Sequence, residues 1–381
     1  MNQVSLRLGF FYAAYFAVVG VVVPYWPLWL QAKGLSAGEI GVLLSAVLWV
    51  KVVSNPLIAE AADRRRARRA FMVRLMLIAI LGYTAFAFVD GFFWLLALSL
   101  VAGIAFTAAL PLGEAIGLNA VYAGGLDYGR IRLWGSLSFI AASVGLGHLL
   151  GGRSVDLVLW AVIALVALTL ISALTMPAGK GAAGARGEGA IRQLLATPVF
   201  LVFLATTSMI HASHAVFYGF ATLHWRAAGL SEGVIGWLWA EGVLAEVLLF
   251  AASNRVVARL GVANLMALAA AGAAVRWLAM GTSVELAVLI PAQALHGLSF
   301  GAAHLAAMHF IARAVPPKTT ATAQSLNAAV AGGIASGLAM LGAGWLYGAW
   351  AAAAFYPMVG LAAMGLAAAL LLRRRWDGGR F

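Results

Sequence analysis

Apolar residues fall in runs near 20 residues long, each broken by a short patch of Gly, Pro or charge. Runs of that length cross the hydrocarbon core of a bilayer as helices, which satisfy their backbone hydrogen bonds internally. Twelve are predicted, numbered spans one to twelve in chain order. The first six lie near 7–30, 39–59, 70–89, 92–122, 131–150 and 156–176; the second six near 198–223, 232–253, 262–281, 286–314, 322–346 and 353–372. Spans four and ten are long, so they should tilt or run past the membrane. The start of the chain runs straight into a full-length span rather than into a cleavable signal. The fold class expected is an all-α membrane protein with twelve transmembrane helices in two six-helix halves. Its parts are an N-terminal bundle (1–176), a cytoplasmic linker (177–197) and a C-terminal bundle (198–381).

Composition agrees: the 381 residues are 64% hydrophobic and 10% charged, against about 45–50% and 25% in soluble domains. A net charge of +12 would suggest nucleic acid in a soluble chain, but here its distribution explains it. With the N-terminus inside, twenty of the 25 Lys and Arg residues fall in inner connections, among them the Arg64–Arg69 cluster, Arg130, Arg132 and Arg373 to Arg375. Three fall outside (Lys33, Arg153, Arg226), and Lys51 and Arg276 lie within spans. That bias places both termini in the cytoplasm and requires an even number of spans. No nucleic acid is expected. Cys is absent, which removes disulfides, Cys-ligated metals and thiol nucleophiles.

The two halves repeat. GLSAGEIGVL at 34–43 aligns with GLSEGVIGWL at 229–238, and each copy opens the next span, with Ser36 or Ser231 placed as its cap. A same-direction repeat of six spans is the layout of transporters that hold their substrate between two halves. Between them, Pro177 to Thr197 is rich in Gly, Ala and Arg and reads as a flexible connection. The same offset sets Lys51 opposite Glu246.

Charge inside spans carries the candidate chemistry. An ionised side chain at the bilayer centre costs about 2.5–3.5 kcal/mol even on the lenient insertion scale, so it is kept where it is paired, protonated or working. Span eight holds Glu241 and Glu246. Glu246 is either a permanent ion-pair partner or a carboxyl that holds and releases a proton near neutral pH. Glu241, about 140° around the helix, is expected to contact substrate or line a cavity. Arg276 in span nine either neutralises an acid or is shared between substrate and Glu246 through its bidentate fork.

Span ten carries His296, His304 and His309, with Gln293 one turn before His296. His296 and His304 should differ by about 80° and face one cavity. Span seven sets His211, His214 and Tyr218 on one stripe. These histidines suit a polar cavity or a proton relay; no compact metal-ligand set exists, and no metal is expected. In the first half, Lys51 and Asn55 lie one turn apart and Glu114 follows a Pro; Lys51 and Glu114 either line the cavity or pair with each other. Tyr12, Tyr15, Trp26 and Trp29 are lining, core or belt, with belt favoured for the two Trp residues beside Pro24 and Pro27. Gly297, Gly301, Gly333 and Gly337 allow close helix packing. Neither a nucleophile elbow nor a phosphate loop occurs, so neither an enzyme nor an ATP-driven pump is expected.

The loop AEAADRRRARR at 59–69 resembles the loop signature of the major facilitator superfamily at Asp63, Arg64, Arg68 and Arg69, with Ala59 and Arg66 where glycines are usual. Membership implies a charge relay there, whereas positive-inside anchoring explains the extra arginines equally well. LDYGRIRLWGS (126–136), HAVFYGFATLHWRAAG (214–229), AEV (245–247), VRW (275–277) and HLAAM (304–308) resemble the 3-phenylpropionic acid transporter family. Lys51 and Glu114 stand where that family has Arg and Asp, and Glu241 lies outside its pattern. The second half is similar in layout to the lactose permeases, with an acid on span eight, Arg on nine and His on ten, but it lacks their second acid on span ten.

The resemblance implies proton-coupled uptake of a small organic solute, an aromatic acid such as a phenylpropionate, by alternating access in the cell inner membrane. A sugar or nucleoside symporter is the alternative, and efflux is disfavoured because span five has no Pro. Glu246, Arg276 and His296 are expected to couple the proton. Lys51, Glu114, His214, Tyr218, Glu241, Gln293, His304 and Tyr15 are expected to meet substrate, and Asp63, Arg64, Arg68, Asp127, Arg130 and Arg132 to gate. A proton gradient replaces any cofactor. The expected partners are solute, protons and lipid, around a monomer.

Overall fold

A computed structural model describes residues 3–124, 126–177 and 189–381. Among the described residues all regular structure is helical, as the absence of water to satisfy an open strand edge requires. Eleven helical stretches of the described residues are long and apolar enough to cross a membrane. The first ten are Gln3–Ala32, Ala37–Arg64, Arg68–Phe88, Phe92–Ala120, Tyr128–Leu150, Leu157–Thr175, Pro198–Ala227, Glu232–Ala251, Val262–Thr282 and Leu286–Ala314. The last, Pro317–Arg375, has 59 residues, about 90 Å of helix at 1.5 Å per residue and twice a bilayer. It divides at Ala351, whose φ of 45 and ψ of −118 end the helix after Trp350. Span eleven is therefore 320–350 and span twelve Phe355–Arg375, and the twelve spans of the sequence are recovered.

The chain falls into two compact units: 1–184 with 225–240, and 185–224 with 241–381. In the first, span one packs on spans five and six, span three on four and six, and span two on four. In the second, span nine packs on span twelve and on span ten, and span twelve also packs on span seven. The boundary passes through span eight, so its opening turns belong to the first unit and the stretch from Glu241 to the second. Within the first unit Tyr25 donates to the Ser143 carbonyl (2.8 Å) and Ser143 Oγ donates to the Gly236 carbonyl (3.1 Å).

The repeat is visible in the backbone. Gly34 and Gly229 turn with φ of 86 and 89, a conformation that glycine adopts without a Cβ penalty. Ser36 Oγ accepts from the Glu39 amide (3.3 Å), and Glu39 accepts from the Ser36 amide (2.8 Å), completing a capping box. Ser231 Oγ accepts from the Val234 amide (3.4 Å). Val234 cannot return the second bond, and an Arg226–Glu232 ion pair (3.0 Å) ties that entry instead.

Two expectations change. Trp26 and Trp29 do not form an interfacial belt. They are buried and stacked on each other at 4.8 Å, with Phe86 edge-on to both and the Trp29 indole N–H bonded to Asp156 (3.2 Å). Packing against spans three and six gives each ring more apolar burial than a headgroup position would. Of the expected flexible connection 177–197, residues 178–188 lie outside the described residues, while Ala190–Leu195 form a short helix. Its Ala190 and Leu194, one turn apart, are both buried.

In the loop after span two, Arg66 has φ 50, so the backbone adopts the glycine-favoured conformation with an arginine in place. A left-handed L-residue costs roughly 1–2 kcal/mol, and part of that returns on substitution because glycine loses more chain entropy on folding. Arg66→Gly is expected to stabilise the protein by about 0.5–1 kcal/mol, read as a raised thermal midpoint in detergent. A lowered midpoint would show that the Arg66 side chain contributes more than its backbone costs.

Candidate functional site

Two irregular stretches of backbone build the site. Span seven stops at Ala212 and resumes at Ala215, leaving Ser213 and His214 in a turn. The freed Ile210 carbonyl is satisfied twice, by Ser213 Oγ (2.7 Å) and His214 Nδ1 (2.8 Å), and Trp277 of span nine donates its indole N–H to Ser213 Oγ (3.1 Å). In span ten a π-helical stretch, Gly297–Ala302, begins immediately after His296. Non-helical backbone at membrane depth survives where protein or a cavity replaces the lost partners, and π-helical turns recur at functional positions.

Small residues let spans eight and ten meet around this stretch. A Cβ on Gly297 would lie 2.8 Å from the Ala245 carbonyl, and one on Gly242 would lie 3.1 Å from the His296 ring. With both absent, Glu246 reaches His296, Oε1 to Nε2 at 2.7 Å.

Arg276 is the centre of the cluster and is 0% exposed. Its Nη1 lies 2.6 Å from His296 Nδ1 and 3.3 Å from Ser299 Oγ, and its Nη2 lies 2.6 Å from Gln293 Oε1. The guanidinium sits 4.1 Å from the Phe217 ring centroid and 4.7 Å from that of Trp277, a cation–π arrangement that offsets lost hydration. Its Nε is buried with no hydrogen-bond partner among the described residues.

Chemistry fixes the protons. A guanidinium only donates, so His296 Nδ1 must accept, and its proton sits on Nε2, pointed at Glu246. Glu246 acts on Arg276 electrostatically, and a neutral imidazole with one defined tautomer is hydrogen-bonded to both. His214 Nδ1 donates to the Ile210 carbonyl, which leaves Nε2 to accept from Ser299 Oγ at 3.3 Å. Aromatic rings close the cluster: Phe300 stacks on His296 at 5.3 Å, and Tyr218 lies 5.8 Å from His214 and 6.3 Å from His296.

Of the predicted residues, the structure brings together Glu246, Arg276, His296, His214, Tyr218 and Gln293. Glu241 is half-buried and within electrostatic range of Arg276 without bonding to it. His304 is apart: it is exposed and edge-on to Phe250 at 6.3 Å. The wider winding of the π stretch between the two histidines alters the rotation that a regular helix would give. Ser299 and Phe217 were missed. A lone Ser, and one Phe among the four of span seven, carry no signal in an apolar span, and the π stretch moves Ser299 off the regular register.

In the first unit Lys51 is half-buried, and no carboxylate lies within 4.0 Å of it among the described residues. The expected alternative of a Lys51–Glu114 ion pair is therefore not formed. Asn55, one turn on, accepts from Thr107 Oγ1 (3.4 Å). Glu114 lies within electrostatic range of Arg132, Tyr12 and Tyr15. Tyr15 is in the core, stacked on Phe106 at 4.4 Å. The loop residues make local anchors: Asp63 pairs with Arg68, and Arg64 with Glu60 (2.6 Å). Arg69 donates to the Met176 carbonyl (3.3 Å). Asp127 caps span five through the Arg130 amide (3.1 Å), and Arg132 lies 3.9 Å from the Phe16 ring.

Residues 5–358 match the MFS_1 like family. The chain is 34% identical over 352 residues to a probable 3-phenylpropionic acid transporter of Escherichia coli (strain K12), covering 90% of each chain. It is 27% identical to a maltose permease of Geobacillus stearothermophilus, covering 96% of this chain and 93% of that one. A crystal structure of the nucleoside transporter NupG superposes with a TM-score of 0.86 at 16% identity, over 98% of this chain and all of the other. That likeness shows the fold.

Because the Gly297 Cβ position lies against Ala245 backbone, Gly297→Ala must push spans eight and ten apart. The expected loss is about 1–3 kcal/mol, as for overpacking elsewhere, measured as a lowered thermal midpoint. An unchanged midpoint would mean that the helices separate without cost and that their contact does not hold Glu246 on His296.

Proposed function

Since the chain belongs to the MFS_1 like family and its relatives are transporters, we propose that this multi-pass membrane protein is a proton-coupled importer of a small aromatic carboxylate. It works as a monomer in the cell inner membrane with both termini cytoplasmic, moves solute by alternating access and uses the proton gradient in place of a cofactor. The observation that carries the reading is the buried series Glu246, His296, Arg276.

With Glu246 ionised, the series is neutral overall: one carboxylate, one imidazole, one guanidinium. Protonation of Glu246 from outside leaves the Arg276 charge uncompensated in an apolar setting, where an unpaired ion costs several kcal/mol. An incoming carboxylate removes that cost, so proton and anion are favoured together and neither alone. Lys51, with no carboxylate within 4.0 Å among the described residues, is the substrate-binding cation of the first unit. His214, Tyr218, Gln293 and Glu241 are the solute contacts of the second unit, and Glu114 and Tyr15 are those of the first. The loaded carrier turns inward, solute leaves, and then Glu246 releases its proton. The Asp63–Arg68 and Asp127–Arg130 pairs, with Arg64 and Arg132, bias that turn.

The relative named for 3-phenylpropionic acid supports an aromatic acid as solute. A hydroxyl-rich solute is the second reading, favoured by Glu241 and Glu114, two half-buried acids with no ion pair among the described residues, and by the relative named for maltose.

The test is uptake of labelled 3-phenylpropionate into proteoliposomes under an inside-alkaline pH gradient. Glu246→Gln should abolish accumulation above equilibrium while leaving solute exchange intact; accumulation at the wild-type level would remove Glu246 from the coupling. Lys51→Ala should raise KM for the carboxylate about tenfold, the lower end of a hydrogen bond to a charged group. If maltose or a nucleoside is accumulated and the carboxylate is not, the second reading replaces the first.

A further inference from the structure

Ser299 is fully buried, lies inside the π-helical stretch of span ten and touches two groups of the site. Its Oγ is 3.3 Å from Arg276 Nη1 and 3.3 Å from His214 Nε2. The arginine can only donate, so the hydroxyl accepts from it and has its own proton left for His214. His214 Nδ1 is committed to the Ile210 carbonyl, so Nε2 is the nitrogen that accepts. Every proton in the chain is then assigned: Arg276 donates to His296, which donates to Glu246; Arg276 also donates to Ser299, which donates to His214, which donates to Ile210.

We propose that Ser299 is a positioning residue through which one guanidinium holds two imidazoles neutral in opposite tautomers and links His214 to Glu246. His296 carries its proton on Nε2 and His214 on Nδ1. An added proton on His296 would face Arg276 donor to donor, so that ring passes on polarisation without becoming the resting place of the charge. His214 has a hydroxyl partner that can rotate, and so answers a change at Glu246 by reorienting Ser299. The other ionisable groups facing this chain are His211 and Tyr218 from span seven and Glu241 from span eight; the Ser299 hydroxyl itself is bonded to Arg276 and His214. The hydrogen-bond assignment stands on geometry, and only its consequence for transport rests on the proton-coupled reading.

The experiment is nitrogen NMR of the full chain in lipid with 15N-labelled histidine. The signals of His214 and His296 are assigned among the seven histidines by loss in H214Q and H296Q. In wild type, His296 should be unprotonated at Nδ1 and His214 at Nε2. Glu246→Gln should shift the signals of both rings. In Ser299→Ala the same change at Glu246 should shift His296 alone, and Ser299→Thr, which keeps the hydroxyl, should restore the effect on His214. The same tautomer in both rings, a cationic ring in wild type, or an E246Q shift at His214 undiminished in the Ser299→Ala background would overturn the proposal. Proteoliposome uptake separates the two readings. If the NMR coupling holds while E246Q accumulates solute normally, proton coupling falls and the role of Ser299 remains.

Discussion

The C-terminal half depends on burying one guanidinium. Arg276 has five N–H donors and no acceptor, so a fully buried position on span nine requires a ring of acceptors and aromatic faces around it. Gln293, His296 and Ser299 supply acceptors, and Phe217 and Trp277 supply faces. Three of these come from span ten, which needs a change of winding to present His296 and Ser299 to one cation. The break in span seven places His214 at the far end of the same set. Glycines at 242 and 297 then bring span eight close enough for Glu246 to complete the balance of charge.

The N-terminal half follows a different rule. Its cations and acids are mostly spent on local anchors at helix ends: Asp127 on a cap, Arg68 on Asp63, Lys33 on Asp90 (3.0 Å). What remains inside its spans is Lys51, with no carboxylate within 4.0 Å among the described residues, and Glu114, within electrostatic range of Arg132. One half thus holds a hydrogen-bonded polar chain around a buried guanidinium, and the other holds charges with no ion pair among the described residues. A carrier that must grip and release solute benefits from having both.

Much of this was readable in the sequence, because lipid makes each exception expensive. Twelve apolar runs gave the spans to within a few residues, and the rare ionisable residues within them, Glu246, Arg276 and His296, proved to be neighbours. The repeat at 34–43 and 229–238 predicted two matching helix entries, and both have the same positive-φ glycine. Other features were hidden for physical reasons. The π stretch has no composition of its own, so Ser299 looked like any small polar residue and His304 seemed to share a face with His296. Trp26 and Trp29 carried the signature of a belt, but whether an aromatic ring faces lipid or another helix is decided by partners distant in sequence. The order of the site, with His296 between acid and arginine, is set by tertiary packing alone.

The interruption of span seven bears on how the protein is assembled. Its two pieces, Pro198–Ala212 and Ala215–Ala227, have 15 and 13 residues, about 22 and 20 Å of helix, each short of the roughly 30 Å core. Neither can cross alone, so they must enter the bilayer as one segment. The polar groups of the turn meet their outside partners only when Trp277 and then Ser299 have been synthesised and inserted. Until then the turn rests on its own Ile210 carbonyl. Maturation of this half is therefore ordered along the chain, with the polar core closing after span ten has arrived.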